Sequence, residues 1–149
     1  MNQAKILIVD DNKSILSALE LLLAGRCEKV KTLSSPNLLL SELQHDSYDV
    51  LLLDMNFSAG INTGNEGIYW LQRVLELDRG LSVVMITAFG DVELAVKAVR
   101  MGAADFVLKP WDNEKMLITI ESTYRLNQSR KEVKKLKLKE KQLIAEINR

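Results

Sequence analysis

The residues of this chain best suited to chemistry are three acids, a threonine and a lysine, placed at the ends of runs of aliphatic residues. In chain order they are Asp10, Asp11, Asp54, Thr87 and Lys109. Oxygen ligands suit Mg²⁺ better than zinc, and Mg²⁺ favours phosphate oxygens as further ligands. A carboxylate can attack phosphorus, while an ammonium group neutralises charge on the phosphoryl group. These residue types therefore indicate phosphoryl chemistry.

The composition is that of an ordinary globular chain in a reducing compartment. The 149 residues are 47% hydrophobic and 27% charged, and they include one Cys and one His. A single Cys allows no internal disulfide, and one Cys with one His cannot form a zinc site. No basic segment precedes a long apolar run, and no stretch of about 18 apolar residues occurs. We therefore expect a cytoplasmic protein with neither a signal peptide nor a membrane span.

Short aliphatic runs alternate along the chain with segments whose apolar residues recur at helical spacing. The runs that predict strands are residues 5–9, 30–33, 50–53, 83–86 and 105–108. The first helix should be capped by Asp11 or Asn12, and another should run from Pro36 to about residue 43. A long helix should begin near Asn113. This alternation predicts an α/β fold, with a parallel sheet covered on both faces and joined by right-handed crossovers.

The predicted sheet would gather the acids, the threonine and the lysine in one crevice. The carboxyl ends of parallel strands lie at a common edge, where such sheets bind ligands. Two carboxylates about 4 Å apart repel each other by roughly 4 kcal/mol at an effective dielectric constant of about 20. Three of them together therefore predict a bound cation, and Mg²⁺ is the expected one. Each residue alone is commonly a solvated loop residue, but their occurrence at the ends of four strands favours a site.

The chain resembles the receiver domains of two-component response regulators in the order and spacing of these motifs. The motifs are Asp10-Asp11, Asp54, Thr87-Ala88 and Lys109-Pro110. The resemblance covers about residues 4–127, and the receiver domain is assigned to residues 1–127. It implies a flavodoxin-like, doubly wound sheet of five parallel strands in the order 2-1-3-4-5, followed here by an extended C-terminal helix.

The resemblance also implies a phosphoacceptor and a magnesium site. Asp54 would accept a phosphoryl group from a sensor histidine kinase. Mg²⁺ would be bound by Asp11, by Asp54 and by the backbone carbonyl of Asn56, with Asp10 holding a metal-bound water. The domain would catalyse its own phosphorylation and dephosphorylation, yet its output would be altered contacts rather than a released product.

The remaining implied roles concern charge neutralisation and switching. Lys109 would pair with the phosphoryl group, and its bond to Pro110 would be cis. Thr87 and Phe106 would form a switch pair, in which the hydroxyl moves toward the phosphoryl group and the ring turns inward. That movement would alter the face formed by the fourth helix, the fifth strand and the fifth helix.

Two features near the phosphoacceptor depart from the family pattern. Twelve residues separate Asp54 from Gly67, and the insertion at residues 58–66 is rich in Gly and Asn. A tolerated surface loop is one interpretation. The other is that the loop covers the site and tunes partner choice or phosphoryl lifetime. Phe89 stands two residues after Thr87, where its ring could shield an acyl phosphate from water.

Residues 128–149 predict a helical, coiled-coil-like linker whose charge opposes that of the body. Residues 1–129 contain 12 basic and 17 acidic residues, giving −5, and residues 130–149 contain 8 and 3, giving +5. Spacings of three and four connect Leu126, Ser129, Val133, Leu136, Glu140, Leu143 and Ile147. This heptad-like pattern favours a homodimer through this helix, through the face named above, or through both. A solvated helix and a DNA-binding basic stripe are the alternatives.

The end of the chain predicts a missing output domain. Asn148 and Arg149 provide no stop signal, as expected for a cut inside a longer helix. The receiver motifs with a long terminal helix resemble the front of an NtrC-type, sigma-54-dependent transcriptional regulator. ATP hydrolysis and DNA binding would then belong to the missing domain, since no phosphate-binding Gly-x-x-x-x-Gly-Lys loop occurs here.

The leading hypothesis is a phosphoacceptor signalling switch, and two alternatives differ from it in testable ways. A phosphatase of the haloacid-dehalogenase type also uses an Asp nucleophile and Mg²⁺. It needs a second acid two residues later, where this chain has Asn56. A phosphorylation-independent scaffold would have no need of crowded acids beside Thr87 and Lys109.

Overall fold

The computed structural model describes residues 1–57 and 65–148 as an α/β domain with a long final helix. Its strands are β1 (Lys5–Val9), β2 (Lys29–Leu33), β3 (Val50–Asp54), β4 (Ser82–Ala88) and β5 (Asp105–Lys109). Its helices are α1 (Lys13–Leu23), α2 (Leu39–His45), α3 (Asn65–Leu77), α4 (Val92–Arg100) and α5 (Asn113–Ile147). Short 3-10 turns precede α2 at Pro36–Leu38 and α4 at Phe89–Asp91. In this part of the chain, no helix is both long and apolar enough to cross a bilayer.

The five strands form one parallel sheet in the order β2-β1-β3-β4-β5. The flavodoxin-like order expected from the sequence is therefore confirmed, and so is the extended terminal helix. Every residue of β3 is buried, as are the first six residues of β4. Strands buried on both faces explain why the aliphatic runs are continuous rather than alternating with polar residues.

Two apolar layers cover the sheet. α1 and α5 pack on one face, where they bury Leu16, Leu19 and Ile120 against Ile8 and Leu52. The helices α2, α3 and α4 pack on the other face and bury Leu39, Leu71, Val74 and Ala98 against alternate residues of the same strands. Because helices cover the sheet on both faces, the carboxyl ends of its strands are held in fixed positions. One face of the sheet at these ends is directed toward α1 and α5.

The residues at which α1 and α2 begin settle one expectation from the sequence and correct another. Asn12, rather than Asp11, caps α1, because its side-chain oxygen accepts hydrogen bonds from the backbone N–H groups of Ser14 and Ile15. The single helix expected from Pro36 to about residue 43 is instead a 3-10 turn followed by α2. Pro36 starts that turn as anticipated, but tighter hydrogen bonding is common in the first turn of a short helix.

A set of polar contacts, which we term the amino-edge network, ties α5 to the amino-terminal edge of the sheet. Its members are Asp49, Ser82, Asn127, Gln128, Arg130 and Lys131. The buried Asn127 Nδ2 donates to the Gly80 carbonyl at 2.7 Å and to Ser82 Oγ at 3.0 Å. Lys131 Nζ lies 2.9 Å from Asp49 Oδ1. Residues assigned from sequence to the linker therefore contact the body, although the boundary after residue 127 remains a prediction.

Candidate functional site

Three carboxylates meet beyond the carboxyl ends of β1 and β3. Asp10 and Asp11 follow β1 directly, and Asp54 is the last residue of β3. One carboxylate oxygen from each lies within 4.8 Å of the other two. Asp10 and Asp54 are buried, and Asp11 is half-buried. The structure thus brings together the three acids that the sequence placed at one edge.

Lys109, at the end of β5, is bonded to two of these acids. Its Nζ lies 3.0 Å from Asp10 Oδ2 and 3.1 Å from Asp54 Oδ1. Burial favours the neutral amine, but the two carboxylates outweigh it and raise the Lys109 pKa above its usual value. One ammonium group against the two buried carboxylates of Asp10 and Asp54 leaves an excess of negative charge. The following Lys109–Pro110 bond is cis, as the resemblance implied.

Asp54 has the chemical environment of an acid that needs a further partner. Burial, and then the charge of Asp10, raise its pKa from 3.8 to about 6, although Lys109 and the Asn56 N–H act in the opposite direction. Its Oδ1 accepts from Lys109 and, at 3.4 Å, from the Asn56 N–H. Its buried Oδ2 has no hydrogen-bond partner within residues 1–57 and 65–148. A cation bound by this oxygen and by its acidic neighbours fits both the charge excess and the unpartnered atom.

The first loop fixes Asp10 in this cluster. Asp10 Oδ1 accepts a hydrogen bond from the Asn12 N–H at 2.8 Å, while Asn12 itself caps α1. One carboxylate oxygen is therefore held by the start of the helix, and the other faces Lys109. This arrangement positions Asp10 through backbone geometry, so that its orientation depends on the α1 cap.

Thr87 and Phe106, the expected switch pair, lie on the same face of the sheet. Met85 is the register partner of Phe106, and Thr87 follows Met85 by two residues. Side chains alternate along a strand, so Thr87 shares the face of Met85 and Phe106. Phe106 is half-buried against the layer of α2, α3 and α4. Thr87 is buried, and its Oγ1 has no hydrogen-bond partner in the described part of the chain.

Asn56 makes a contact that no periodic pattern in the sequence predicts. Its Nδ2 donates to Asp91 Oδ2 at 2.8 Å, across from the loop after β3 to the 3-10 turn after β4. Asp91 immediately precedes α4 yet makes no capping bond with its side chain. Two loop residues 35 positions apart carry no periodic signal, and only the adjacency of β3 and β4 makes their contact predictable.

Of the two sequence features that depart from the family pattern, one lies within the described residues and the other lies mostly outside them. Phe89 opens the 3-10 turn after β4 with its side chain 68% exposed. The proposed cover over the site lies mostly outside the described residues, since the insertion at 58–66 overlaps them only from residue 65 onward. Its role stays a prediction.

Comparison with known proteins agrees with this geometry. Residues 6–121 match the family described as the response regulator receiver domain. An N-terminal signal receiver domain of a two-component response regulator from Bacteroides fragilis is 46% identical and superposes with a TM-score of 0.75, covering 83% of this chain and 98% of that one. NtrX from Brucella abortus, solved with ADP, is 26% identical with a TM-score of 0.81, covering 90% of this chain and 30% of that one. The transcriptional regulatory protein ZraR from Escherichia coli K12 is 31% identical over 116 residues, which are 78% of this chain and 25% of ZraR.

The fold and the acidic crevice define a receiver, and the chain belongs to the response regulator receiver domain family. It spans between a quarter and little more than half the length of the curated relatives that it matches.

Proposed function

We propose that this receiver is a phosphoacceptor switch whose Asp54 takes a phosphoryl group from a histidine kinase. The observation that carries the proposal is the environment of the buried Asp54 carboxylate. Its Oδ1 is paired with the Lys109 ammonium group, and its Oδ2 has no hydrogen-bond partner among the described residues. An Asp54 oxygen bonds to phosphorus as the bond from phosphorus to the donor breaks, which leaves an acyl phosphate on the protein. Membership of the receiver family favours this function over a phosphatase of the haloacid-dehalogenase type.

The neighbouring residues would bind and neutralise the phosphoryl group. Asp11, Asp54 and the Asn56 carbonyl would hold Mg²⁺, with Asp10 binding it through water. The ion, when bound, supplies positive charge for the phosphoryl oxygens. Lys109 is close enough to Asp54 to move its ammonium group onto a phosphoryl oxygen. The unpartnered Thr87 hydroxyl would donate to another, and Phe106 would then fill the space beside Thr87.

The surface beside Lys109 supports the proposal that the phosphoryl group comes from a histidine kinase whose phosphohistidine lies on a helix. A cavity of about 400 Å³ lies between α1 and the segment after β5, lined by Ser14, Ile15, Ala18, Lys109, Pro110 and Trp111. Its lining is largely apolar and adjoins the phosphoacceptor crevice through Lys109. A helix that presents a phosphohistidine could pack here while its phosphoryl group reaches Asp54.

The output is proposed to be transcriptional and to lie beyond this chain. Residues 1–127 would act as the receiver, and residues 128–149 as the linker to a DNA-binding output domain of the NtrC type. The name of ZraR and the ADP complex of NtrX support this assignment. A homodimer through α5, through the face of α4, β5 and α5, or through both would transmit the signal in the cytoplasm.

The proposal predicts magnesium-dependent phosphorylation. Intact mass after incubation with acetyl phosphate should rise by one phosphoryl group with Mg²⁺ and stay unchanged with a chelator, because the excess negative charge repels the donor. The matched control is the same sample with Ca²⁺, whose longer ligand distances fit the crowded acids less well. Uptake that is equal with and without metal, or no uptake at all, would contradict the proposal.

Phe89 provides a second prediction, which concerns the lifetime of the acyl phosphate. Phe89→Glu should speed its hydrolysis about threefold or more, because a carboxylate near the site can orient an attacking water that the apolar ring excludes. Phe89→Leu, which stays apolar, should decay at the wild-type rate. The measurement is the loss of phosphorylated mass after removal of the donor, and equal decay of all three proteins would count against shielding.

A further inference from the structure

The outward side of α5 carries exposed residues at heptad spacing, which we term the seam. The seam comprises Leu126, Ser129, Val133, Leu136, Glu140, Leu143 and Ile147. Its five apolar members are 48 to 73% exposed. The amino-edge network holds the other side of the helix against the sheet edge and so fixes which side faces outward. Apolar residues that repeat every seven positions predict pairing with another helix.

A cavity of about 620 Å³ opens at the end of the seam nearest the body. It is lined by Ala104, Leu126, Ser129, Arg130, Val133 and Lys134. Most of this lining is apolar, and two cations adjoin it. A segment that fills it should therefore present apolar side chains and one acid at helical spacing. The tail of this chain has that pattern in Leu136, Glu140 and Leu143.

We propose that a second copy of this chain packs its tail antiparallel along the seam and fills this cavity. The inference rests on the dimer of the proposed function and specifies its orientation. Leu126 would face the partner's Leu143, and Ser129 would face the partner's Glu140. Val133 would face the partner's Leu136. The pair is two-fold symmetric, so each tail fills the cavity of the other copy.

The acid within the seam distinguishes the two orientations. In a parallel, in-register pair each seam residue faces its own copy, so Glu140 would face the partner's Glu140 inside an apolar interface. Like charges that oppose each other away from solvent are unfavourable. In the antiparallel pair the partner's Glu140 accepts a hydrogen bond from the Ser129 hydroxyl and lies near Lys134. The only charged seam residue therefore finds a hydrogen-bond donor and a cation in the antiparallel arrangement.

Charges that flank the seam provide an independent comparison. In the antiparallel pair Glu132 approaches the partner's Lys139, and Arg125 approaches the partner's Glu146. Each attraction occurs twice by symmetry. These four attractions use exposed residues that recur every seven positions along one side of the seam, where the side chains of two paired helices meet.

Both arrangements also place some like charges together, but the antiparallel one has a way to avoid them. It brings Arg130 near the partner's Lys137, yet Arg130 Nη2 donates to Ser82 Oγ at 3.1 Å and is held against the body. The parallel pair sets Arg125 against the partner's Arg130. It retains a single kind of attraction, between Glu132 and the partner's Lys137.

Disulfide trapping on the full chain tests the orientation. In a Cys27→Ser background, a mixture of ¹⁵N-labelled Leu126→Cys protein and unlabelled Leu143→Cys protein should oxidise mainly to the mixed dimer, which intact mass identifies by its half-labelled value. Leu143→Cys alone should cross-link poorly, because the two copies of residue 143 are 17 positions apart along the pair, or about 25 Å. Leu138→Cys, which is equally exposed but lies off the seam, is the matched control. Efficient cross-linking of Leu143→Cys alone would overturn the antiparallel orientation and leave the dimer intact.

A charge reversal gives a second test that does not depend on cross-linking. Glu146→Lys should raise the dimer Kd by about three- to tenfold in sedimentation equilibrium, and Arg125→Glu combined with Glu146→Lys should restore it. A parallel pair gives Glu146 no opposite charge, so an unchanged Kd would overturn the inference. A chain that is monomeric throughout would overturn both the orientation and the dimer. Phosphorylation of Asp54, measured by mass on the same samples, reports separately on the proposed function.

Discussion

Replacing Asp54 by Asn is expected to abolish phosphorylation of the chain and at the same time to stabilise its fold. The amide keeps the size of the carboxylate but is not nucleophilic, so the mass gain of one phosphoryl group should disappear. The same change removes one of three crowded carboxylates, whose burial and proximity raise the Asp54 pKa to about 6. Loss of function and gain of stability from one substitution would separate a functional acid from a structural one.

The stabilisation should depend on pH, with a sign set by the raised pKa. The folded state holds the Asp54 proton more tightly than the unfolded state, whose pKa is near 3.8. In metal-free buffer the wild type therefore loses stability as the pH rises from about 4 through 6 and stays at the lower value above that. The full effect is on the order of 3 kcal/mol, from a shift of about two pKa units. Asp54→Asn should lack this loss and exceed the wild type in stability at pH 7.

Urea unfolding from pH 4 to 8 measures this difference. Asp105→Asn is the matched control, because Asp105 is an exposed acid at the start of β5, away from the crevice. That variant should accept phosphate and unfold as the wild type does. A phosphorylated Asp54→Asn protein would refute the assignment of the phosphoacceptor. Equal pH dependence of Asp54→Asn and the wild type would show that the crowding of the acids is not what raises the Asp54 pKa.

The second large effect is expected from Gly67→Ala in α3. A β-carbon at this position would lie 2.6 Å from Met55 Cα and 2.7 Å from the Met55 carbonyl oxygen, and both are backbone atoms that cannot rotate away. Gly67 N–H also donates to that carbonyl at 3.0 Å. Alanine normally stabilises a helix relative to glycine. Here we expect a loss of about 2 to 3 kcal/mol, because the start of α3 or the turn after β3 must move.

The displaced turn lies in the site, so the effect should extend beyond stability. Met55 separates Asp54 from Asn56, and a shift of its backbone would move the carbonyl proposed to bind Mg²⁺. Gly67→Ala should therefore also weaken the stabilisation that Mg²⁺ gives in thermal unfolding. Gly90→Ala is the matched control, because no atom lies within 4 Å of a β-carbon there. Unfolding of Gly67→Ala at the wild-type urea concentration would refute the close approach.

Much of the fold and the crevice could be predicted because buried parallel strands leave a strong pattern. Strands covered on both faces must be continuously apolar, so the first polar residue after each run marks the carboxyl edge. Asp10, Asp54 and Lys109 could be placed together on that ground alone. The choice between Asp11 and Asn12 as the cap of α1 was open, since both residue types cap well, and only the local backbone decided it.

The contacts that could not be predicted join residues far apart in sequence with no periodic pattern. Asn56 and Asp91 meet because two adjacent strands end at the same height. Asn127 is buried against Gly80 and Ser82, although it is the last residue before the predicted linker. A single polar residue in a helical segment does not reveal whether it will meet a buried hydrogen-bond partner. The presence of such a partner depends on the lengths of the strands against which the helix packs.

Attachment of α5 by the amino-edge network makes the rest of that helix a lever arm. About 20 residues extend beyond Asn127, which is roughly 30 Å of helix at 1.5 Å per residue. A tilt of about 5° about this fulcrum would sweep the far tip through roughly 3 Å. The helix begins 14 residues before Asn127, close to Lys109, so a displacement there would reach the far end of the helix enlarged by about 1.4-fold.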